Sequence, residues 1–237
     1  MNIFMKAYHR LWKEWPVNRK LEEINWGKIF DFAIRDSEWL KKQAFNPGRW
    51  AMGFPGLYIL FRTLSEMRPR TILEFGLGES SKLTHQYRKH YPETDLTIVE
   101  HDKEWKDVFC RTIFDVSDAV KILPIKTIGK GASEHHSYQD LIPAISGKKY
   151  DLVIIDGPWG SKRHSRNQIL DIIREDLLAE NFVILVDDAN RRGERDTIRE
   201  LEKLLRQREI PYAKGLYWGK KDSCIICSSD YRFLTSL

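Results

Sequence analysis

The chain has 237 residues, of which 42% are hydrophobic and 31% are charged, and its formal net charge is +5 at pH 7. This length is sufficient for a full α/β core in one domain. No apolar run approaches the ~20 residues that cross a bilayer, which argues against an integral membrane protein. The N-terminus carries Lys6, His9 and Arg10 where a secretory signal would be apolar, so a cytoplasmic location is expected.

Three cysteines, Cys110, Cys224 and Cys227, are too few for a disulfide framework and favour a reducing compartment. Cys224 and Cys227 form a CxxC pair in a strand-like segment, where residues three apart point to opposite faces. We therefore expect them to pack in the core rather than to bind zinc or undergo redox chemistry.

Residues 1–66 are predicted to form a mostly helical cap, and residues 67–237 the main domain. The opening segment places several large apolar side chains on one helical face: Phe4, Tyr8, Leu11, Trp12 and Trp15. This face either packs against the body of the same protein or contacts a membrane interface or a partner. The sequence leaves the oligomeric state open.

Five apolar, β-branched runs follow: TILEF (71–75), DLTIVE (95–100), VKILPI (120–125), YDLVIID (150–156) and NFVILVDD (181–188). Amphipathic segments separate them, and RNQILDIIREDLLAE (166–180) has the apolar spacing of a helix packed on a sheet. This alternation predicts parallel strands of a doubly wound α/β sheet. Two further strand-like runs, YAKGLYWG and DSCIICSSD, are joined only by KK and should form an antiparallel hairpin. The predicted fold is therefore α/β and Rossmann-like, with a mostly parallel seven-stranded sheet, a C-terminal antiparallel hairpin and an N-terminal helical cap.

The first strand ends in a glycine-rich loop, EFGLGESS. Gly76 and Gly78 let the backbone turn tightly and approach a ligand, and a helix is expected to start near Ser80 and Ser81. Ser81 replaces the third glycine of the dinucleotide fingerprint, and Glu74 precedes the loop. A dinucleotide brings a pyrophosphate to such a loop, whereas S-adenosylmethionine (SAM) brings an ammonium and a sulfonium. The carboxylate therefore favours SAM.

The second strand ends in Glu100 and His101, which are assigned to the same cofactor site. An acidic side chain at this distance from the glycines accepts hydrogen bonds from both ribose hydroxyls of an adenosine. Glu100 therefore predicts an adenosine-containing ligand without separating SAM from a dinucleotide. His135 and His136 are expected in a solvated loop after the third strand.

The fourth and fifth strands deliver three aspartates to the same edge: Asp156, Asp187 and Asp188. Any of them is a candidate base that takes a proton from an acceptor hydroxyl during methyl transfer, and Asp156 also borders the cofactor. Alternatively they bind a divalent cation such as Mg²⁺, because hard cations prefer carboxylate oxygens. The sequence leaves both functions open.

A cationic loop follows the fourth strand at the rim of this edge. Its side chains, with one arginine after the fifth strand, are the predicted acceptor-binding residues: Lys162, Arg163, His164, Arg166 and Arg191. They favour an anionic acceptor such as a uronate or a phosphate, which arginine pairs with in a bidentate manner.

These motifs resemble the class I SAM-dependent methyltransferases over roughly residues 70–228. EFGLGESS, VEHDKEW, YDLVIIDGPWG and VDDANRRGE look like motifs of the polysaccharide methyltransferases related to plant glucuronoxylan 4-O-methyltransferases. The resemblance implies the SAM-methyltransferase fold, SAM as cofactor, and a hydroxyl of a sugar or acidic polysaccharide as acceptor. The chain departs from the pattern at Asp187, where histidine is expected in the plant enzymes.

A looser similarity connects the aspartates with catechol-type O-methyltransferases. In those enzymes an aspartate after the fourth strand and an Asp-Asn pair after the fifth bind magnesium. The matching positions here are Asp156, Asp187 and Asp188, with aspartate in place of asparagine. This similarity implies a divalent metal such as Mg²⁺ as a second candidate cofactor.

The main prediction is thus a SAM-dependent O-methyltransferase that acts on a glycan. A second enzyme hypothesis is methylation of a small molecule or a lipid-linked intermediate. A third hypothesis, from a different class, is an RNA-binding protein whose basic residues contact an anionic polymer: Lys162, Arg163, Arg166, Arg191 and Arg192. No base-methylation motif occurs and the fourth strand ends in DGPWG, so no specific nucleic-acid partner is expected.

Overall fold

The computed structural model describes residues 12, 14–40, 43–47 and 50–236. The strands of the main sheet are β1 (Thr71–Phe75), β2 (Asp95–Glu100), β3 (Val120–Ile122), β6 (Tyr150–Ile155), β7 (Leu178–Val186), β8 (Ala213–Tyr217) and β9 (Ser223–Cys227). Their order is β3-β2-β1-β6-β7-β9-β8. Strands β3, β2, β1, β6 and β7 run parallel, whereas β9 is antiparallel to both β7 and β8. The predicted seven-stranded sheet with its C-terminal hairpin is confirmed.

The central strands are apolar throughout because helices cover both faces of the sheet. Along β6, Leu152 and Ile154 pack in one apolar cluster, while Val153 and Ile155 pack in the other. All four side chains are fully buried. The period of two therefore divides each strand between two half-cores.

The helices are α1 (Pro16–Ile34), α2 (Phe54–Met67), α3 (Glu79–His90), α4 (Lys103–Val108), α5 (Leu141–Ile145), α6 (Gln168–Arg174) and α7 (Arg192–Gln207). Helix α2 buries Leu57, Leu60 and Leu64, at helical spacing, in the first apolar cluster. Helix α7 buries Leu201 and Leu205 in the second cluster. The two half-cores thus lie on opposite faces of one sheet.

The third predicted strand is shorter than its apolar run. It ends at Ile122, and the chain then enters a separate two-stranded antiparallel sheet of β4 (Ile125–Ile128) and β5 (His135–Tyr138). Pro124 has no N–H to donate to a neighbouring strand, which explains the break. The expectation of a solvated loop at His135 and His136 was therefore wrong, since both lie in β5.

Helix α6 is also shorter than the amphipathic pattern over residues 166–180 indicated. It ends at Arg174, and Asp176 adopts a left-handed conformation with φ 54° that reverses the chain. Residues from Leu178 onward then form the beginning of β7. A turn that the apolar spacing does not encode thus divides the segment between a helix and a strand.

Cys224 and Cys227 both lie in β9 and are free thiols. Cys224 packs in one apolar cluster and Cys227 in the other. The expectation that these cysteines pack in the core is confirmed.

Phe4, Tyr8 and Leu11 of the predicted N-terminal apolar face lie outside the described residues. Trp12 and Trp15 are exposed, and the Trp12 ring lies 6.0 Å from that of Trp218. Contact of this face with a membrane or a partner stays a prediction. Within the described ranges, no helix combines the length and apolarity needed to cross a bilayer.

Candidate active site

The carboxyl ends of β1, β2 and β6 meet where the strand order reverses. From β1 the chain proceeds outward to β2 and β3, and it returns to the other side of β1 as β6. The backbone joins the three ends, since Gly76 N donates to Val99 O at 2.9 Å and Asp156 N donates to Phe75 O at 3.0 Å. Such a reversal leaves a crevice between adjacent loops, which is where open α/β sheets bind ligands.

Two glycines allow the loops after β1 and β6 to touch. Gly76 has φ 94°, and a Cβ on it would lie 3.0 Å from the backbone nitrogen of Gly157. A Cβ on Gly157 would lie 2.8 Å from the Cα of Gly76. A Cβ on Gly78 would meet nothing within 4 Å. The loop is therefore tightly packed at Gly76 and open at Gly78.

Glu74 lies beneath this loop with no exposed surface. Its Oε1 accepts hydrogen bonds from the hydroxyls of Ser80 (2.6 Å) and Ser81 (2.9 Å), and its Oε2 accepts one from Thr84 (2.7 Å). Burial raises the pKa of Glu74 to about 7, against the lowering effect of these hydroxyls. The carboxylate therefore holds the glycine loop to the start of α3, and its direct contact with a cofactor stays a prediction.

Glu100 stands on one side of the glycine loop. Its Oε2 accepts a hydrogen bond from Leu77 N at 2.9 Å, and its Oε1 accepts from His101 N at 2.7 Å and Asp102 N at 2.9 Å. His101 Nδ1 lies 2.8 Å from Oε1. Although burial raises the pKa of Glu100, these hydrogen bonds hold it below its ordinary value. Oε2 accepts one amide and retains capacity for a hydroxyl donor.

An exposed indole projects beside this carboxylate. Trp159, in the turn after β6, is 60% exposed, and its ring lies 4.7 Å from that of His101 and 6.2 Å from that of His136. Trp159 belongs to the DGPWG motif but was not among the predicted site residues. Its place near the site could have been inferred from the sequence, because a tryptophan in the turn after a central strand lies at the edge of the sheet where ligands bind.

The three aspartates come together as predicted. Carboxylate oxygens of Asp156, Asp187 and Asp188 lie within 4.8 Å of one another, and we call these residues the aspartate triad. Asp187 and Asp188 are buried, whereas the Asp156 side chain keeps 13% of its surface exposed. Burial and the neighbouring Asp187 raise the pKa of Asp156, which makes this carboxylate a better proton acceptor.

Cationic side chains fill the space around the triad. Arg166 Nη1 lies 3.3 Å from Asp156 Oδ1, and Arg166 Nη2 lies 3.2 Å from Asp188 Oδ2. Lys221 Nζ lies 3.3 Å from Asp187 Oδ2 and 3.5 Å from Asp188 Oδ1. Because these cations already neutralise the carboxylates, the donor set does not fit a resident divalent metal.

Lys221 was not among the predicted site residues, because the KK pair was predicted only to link the two strands of the hairpin. The antiparallel pairing of β7 with β9 aligns Val186 with Cys224, so the residues before β9 lie beside the residues after β7. Lys221 therefore had to approach Asp187. The sequence alone did not reveal that Lys221 lies near Asp187, because this proximity depends on the pairing of β9 with β7.

The cationic loop is largely engaged within the protein. Arg163 pairs with Asp196 on α7, and His164 Nδ1 lies 2.8 Å from Glu200 Oε1. Arg166 is buried, with 6% of its side chain exposed, in the triad. Lys162 and Arg191 remain exposed, although Arg191 Nη1 also lies 2.9 Å from Asp188 Oδ2. The predicted acceptor-binding set is thus divided between structural pairs and two exposed cations.

No protein-family model matches the sequence, and no curated protein sequence matches it. Solved structures do share the fold. The O-methyltransferase TomG from Streptomyces achromogenes, involved in tomaymycin synthesis and solved with SAM, superposes with a TM-score of 0.54 at 16% identity over 88% of this chain and 99% of its own. A putative caffeoyl-CoA O-methyltransferase from Staphylococcus aureus gives 0.53 at 13% identity, over 86% of this chain and 100% of its own.

An O-methyltransferase from Bacillus cereus, solved with S-adenosylhomocysteine, gives a TM-score of 0.50 at 13% identity. That match covers 94% of this chain and 97% of the other. The chain therefore has the Rossmann-like fold that these O-methyltransferases share.

Proposed function

We propose that the protein is a SAM-dependent O-methyltransferase. The observation that carries the proposal is the open space at Gly78, in the glycine loop at the reversal of the strand order, where the neighbouring Leu77 N donates to Glu100. The aspartate triad follows β6 and β7 at the same edge of the sheet. The fold shared with O-methyltransferases, two of them solved with SAM or S-adenosylhomocysteine, supports it.

We infer the position of the cofactor from the side chains around the glycine loop. Glu100 Oε2 accepts a hydrogen bond from a ribose hydroxyl in addition to the one from Leu77 N. The exposed ring of Trp159, beside His101, offers an aromatic face for adenine. The methionine part of SAM extends past Gly78, where the loop carries no side chain. The donor methyl group then faces the aspartate triad.

Methyl transfer to oxygen is a single displacement. The acceptor oxygen forms a bond to the methyl carbon, the carbon–sulfur bond breaks, and its electron pair neutralises the sulfonium. The hydroxyl proton passes to a base, and Asp156 is the triad member whose carboxylate keeps exposed surface. Burial raises the pKa of Asp156 above its ordinary value, which makes its carboxylate the stronger base.

We propose that the acceptor is a hydroxyl of a sugar or polysaccharide. The support is the resemblance of EFGLGESS, VEHDKEW, YDLVIIDGPWG and VDDANRRGE to motifs of polysaccharide methyltransferases. Lys162 and Arg191 are the exposed cations that would contact an acidic group on it. A small-molecule acceptor is the second candidate, because one of the similar structures is described as a putative caffeoyl-CoA O-methyltransferase and another as an enzyme of tomaymycin synthesis. RNA binding is disfavoured, since Arg163 and Arg166 both pair with acidic side chains.

Titration calorimetry with SAM tests the cofactor site. We expect Glu100→Ala to weaken SAM binding by about tenfold or more, because hydrogen bonds to a charged acceptor are lost. Glu104→Ala is the matched control, since Glu104 is an exposed acid on the adjacent helix α4. An unchanged SAM affinity in a folded Glu100→Ala protein would refute the site assignment.

Labelled SAM tests the acceptor class. The protein is incubated with neutral oligosaccharides, uronate-containing oligosaccharides and small phenols, with and without EDTA. Label in the uronate-containing fraction that is reduced in Lys162→Ala supports an acidic glycan. Label confined to the phenols would overturn the glycan proposal and leave the methyltransferase proposal standing.

A further inference from the structure

The aspartate triad contains its own counter-ions. Both oxygens of Asp187 are engaged, Oδ2 by Lys221 Nζ at 3.3 Å and Oδ1 by the Ser223 hydroxyl at 3.3 Å. Both oxygens of Asp188 also face cations, Oδ1 facing Lys221 at 3.5 Å and Oδ2 facing Arg166 at 3.2 Å. The Lys221 ammonium therefore lies between two carboxylates, as a bound cation would.

A divalent ion would compete with these side chains for the same oxygens. Mg²⁺ needs oxygen ligands at about 2.1 Å in near-octahedral geometry, and it retains water on its open positions. An ion at that distance from Asp187 and Asp188 would lie against the Lys221 ammonium and the Arg166 guanidinium. Two positive charges about 4 Å apart repel strongly in a protein interior. The ion can enter only if Lys221 leaves.

Helix α1 holds the turn that carries Lys221 on both sides, which keeps the lysine backbone beside the triad. Arg19 pairs with Asp222, Glu23 Oε2 accepts a hydrogen bond from Lys220 N at 2.9 Å, and Trp26 Nε1 donates to Trp218 O at 2.9 Å. The Lys221 ammonium also donates to Trp50 O at 3.3 Å. Only 10% of its side chain is exposed.

We propose that Lys221 supplies the positive charge at the aspartate triad and that the protein uses no divalent metal there. The inference rests on the proposed function for its chemical meaning, since it assigns Lys221 as a positioning residue for methyl transfer. The ammonium neutralises Asp187 and Asp188 and fixes their orientation. Asp156, the triad member with exposed surface, is then left to face the acceptor hydroxyl.

Mn²⁺ uptake tests the proposal without an acceptor. The free Mn²⁺ signal in electron paramagnetic resonance is followed as the full-length protein is added, and thermal unfolding is measured with Mn²⁺ and with EDTA. For the unchanged protein we expect no loss of free Mn²⁺ and no shift of the unfolding midpoint. Lys221→Met opens the triad and should bind Mn²⁺ at least about tenfold more tightly than the unchanged protein, since metal affinity follows the availability of ligands.

Lys220→Met is the matched control, because Lys220 is the adjacent lysine, carries the same charge and has an exposed side chain. It should behave as the unchanged protein does. If Lys221→Met fails to fold, Lys221→Gln serves in its place, since it also removes the charge. The proposal is overturned if the unchanged protein binds Mn²⁺ with a raised unfolding midpoint, or if no folded Lys221 variant gains Mn²⁺ uptake. Absence of SAM binding would instead refute the proposed function while leaving the Mn²⁺ result interpretable.

Discussion

Gly76 and Gly78 lie two residues apart in one loop, yet an added methyl group meets different surroundings at each. At Gly76 the methyl group would press on the backbone of Gly157, and φ 94° is a conformation that L-residues rarely adopt. At Gly78 it would project into open space. The fold therefore requires glycine at position 76, whereas the space at position 78 would accommodate a methyl group.

These surroundings predict opposite effects of two alanine substitutions. Gly76→Ala should lower the free energy of unfolding by about 2 kcal/mol or more, through clash and backbone strain. Gly78→Ala should change it by less than about 0.5 kcal/mol while weakening SAM binding. Urea denaturation and calorimetry on both variants check this. Equal destabilisation by the two substitutions would contradict the geometry.

Glu74 makes stability depend on pH. Its pKa is raised in the folded state from 4.5 to about 7 by burial, so the ionised form destabilises the fold above that pH. Protonation removes this cost as the pH falls toward the unfolded-state value. Glu74→Gln does not titrate, so its stability relative to the unchanged protein should be more favourable at about pH 8 than at about pH 5.5. A difference that is the same at both pH values would show that Glu74 does not titrate in this range.

The candidate site was predictable where it depends on strand ends. Glu100, Asp156 and Asp187 each follow an apolar run, and parallel strands end at one edge. Glu74 lies next to the glycine loop, as its position in the sequence predicted. The three hydroxyl groups that donate hydrogen bonds to it could not be predicted, because they depend on how the start of α3 packs. Lys221 was missed because its neighbours come from distant parts of the sequence, and local patterns do not encode them.

Among the elements, β1 and β2 have the bounds that their apolar runs predicted, because both lie inside the sheet with a paired strand on each side and are themselves almost entirely buried. The elements at the margins differ. Strand β3 is an edge strand that ends before Pro124. Helix α6 ends at Arg174, and the last residues of the predicted helix form the start of β7. Burial on both faces thus fixes boundaries that propensity alone leaves uncertain.

Helix α1 is fastened to two other elements by one side chain. Glu23 Oε1 accepts a hydrogen bond from Phe54 N at 2.7 Å, at the start of α2, and Oε2 accepts one from Lys220 N in the hairpin turn. Glu23→Ala leaves both amides unpaired and should lower the free energy of unfolding by about 2 kcal/mol. Glu22→Ala is the control, since Glu22 Oε2 accepts a single 3.4 Å hydrogen bond, from Asn25 within α1. If urea denaturation showed an equal loss of unfolding free energy in both variants, the two hydrogen bonds of Glu23 would not stabilise the fold.

At the scale of the whole molecule, the predicted boundary between residues 66 and 67 falls inside α2. The buried leucines of that helix share one apolar cluster with Ile72 of β1 and Leu152 of β6. Trp26 and Phe30 of α1 belong to the same cluster. The helices that precede the sheet therefore complete one of its two half-cores, and the division into a cap and a main domain stays a prediction.

Truncation tests whether the sheet folds without these helices. A chain of residues 67–237 would expose the strand surfaces that α1 and α2 cover, and losing several buried leucine and aromatic side chains at about 2–5 kcal/mol each exceeds the stability of an ordinary domain. We expect circular dichroism to show no cooperative urea transition for this truncated chain, whereas the 237-residue chain should unfold in one transition. SAM binding should be lost with the fold. A truncated chain that unfolds cooperatively and still binds SAM would establish residues 67–237 as an independent domain, with residues 1–66 as a dispensable extension.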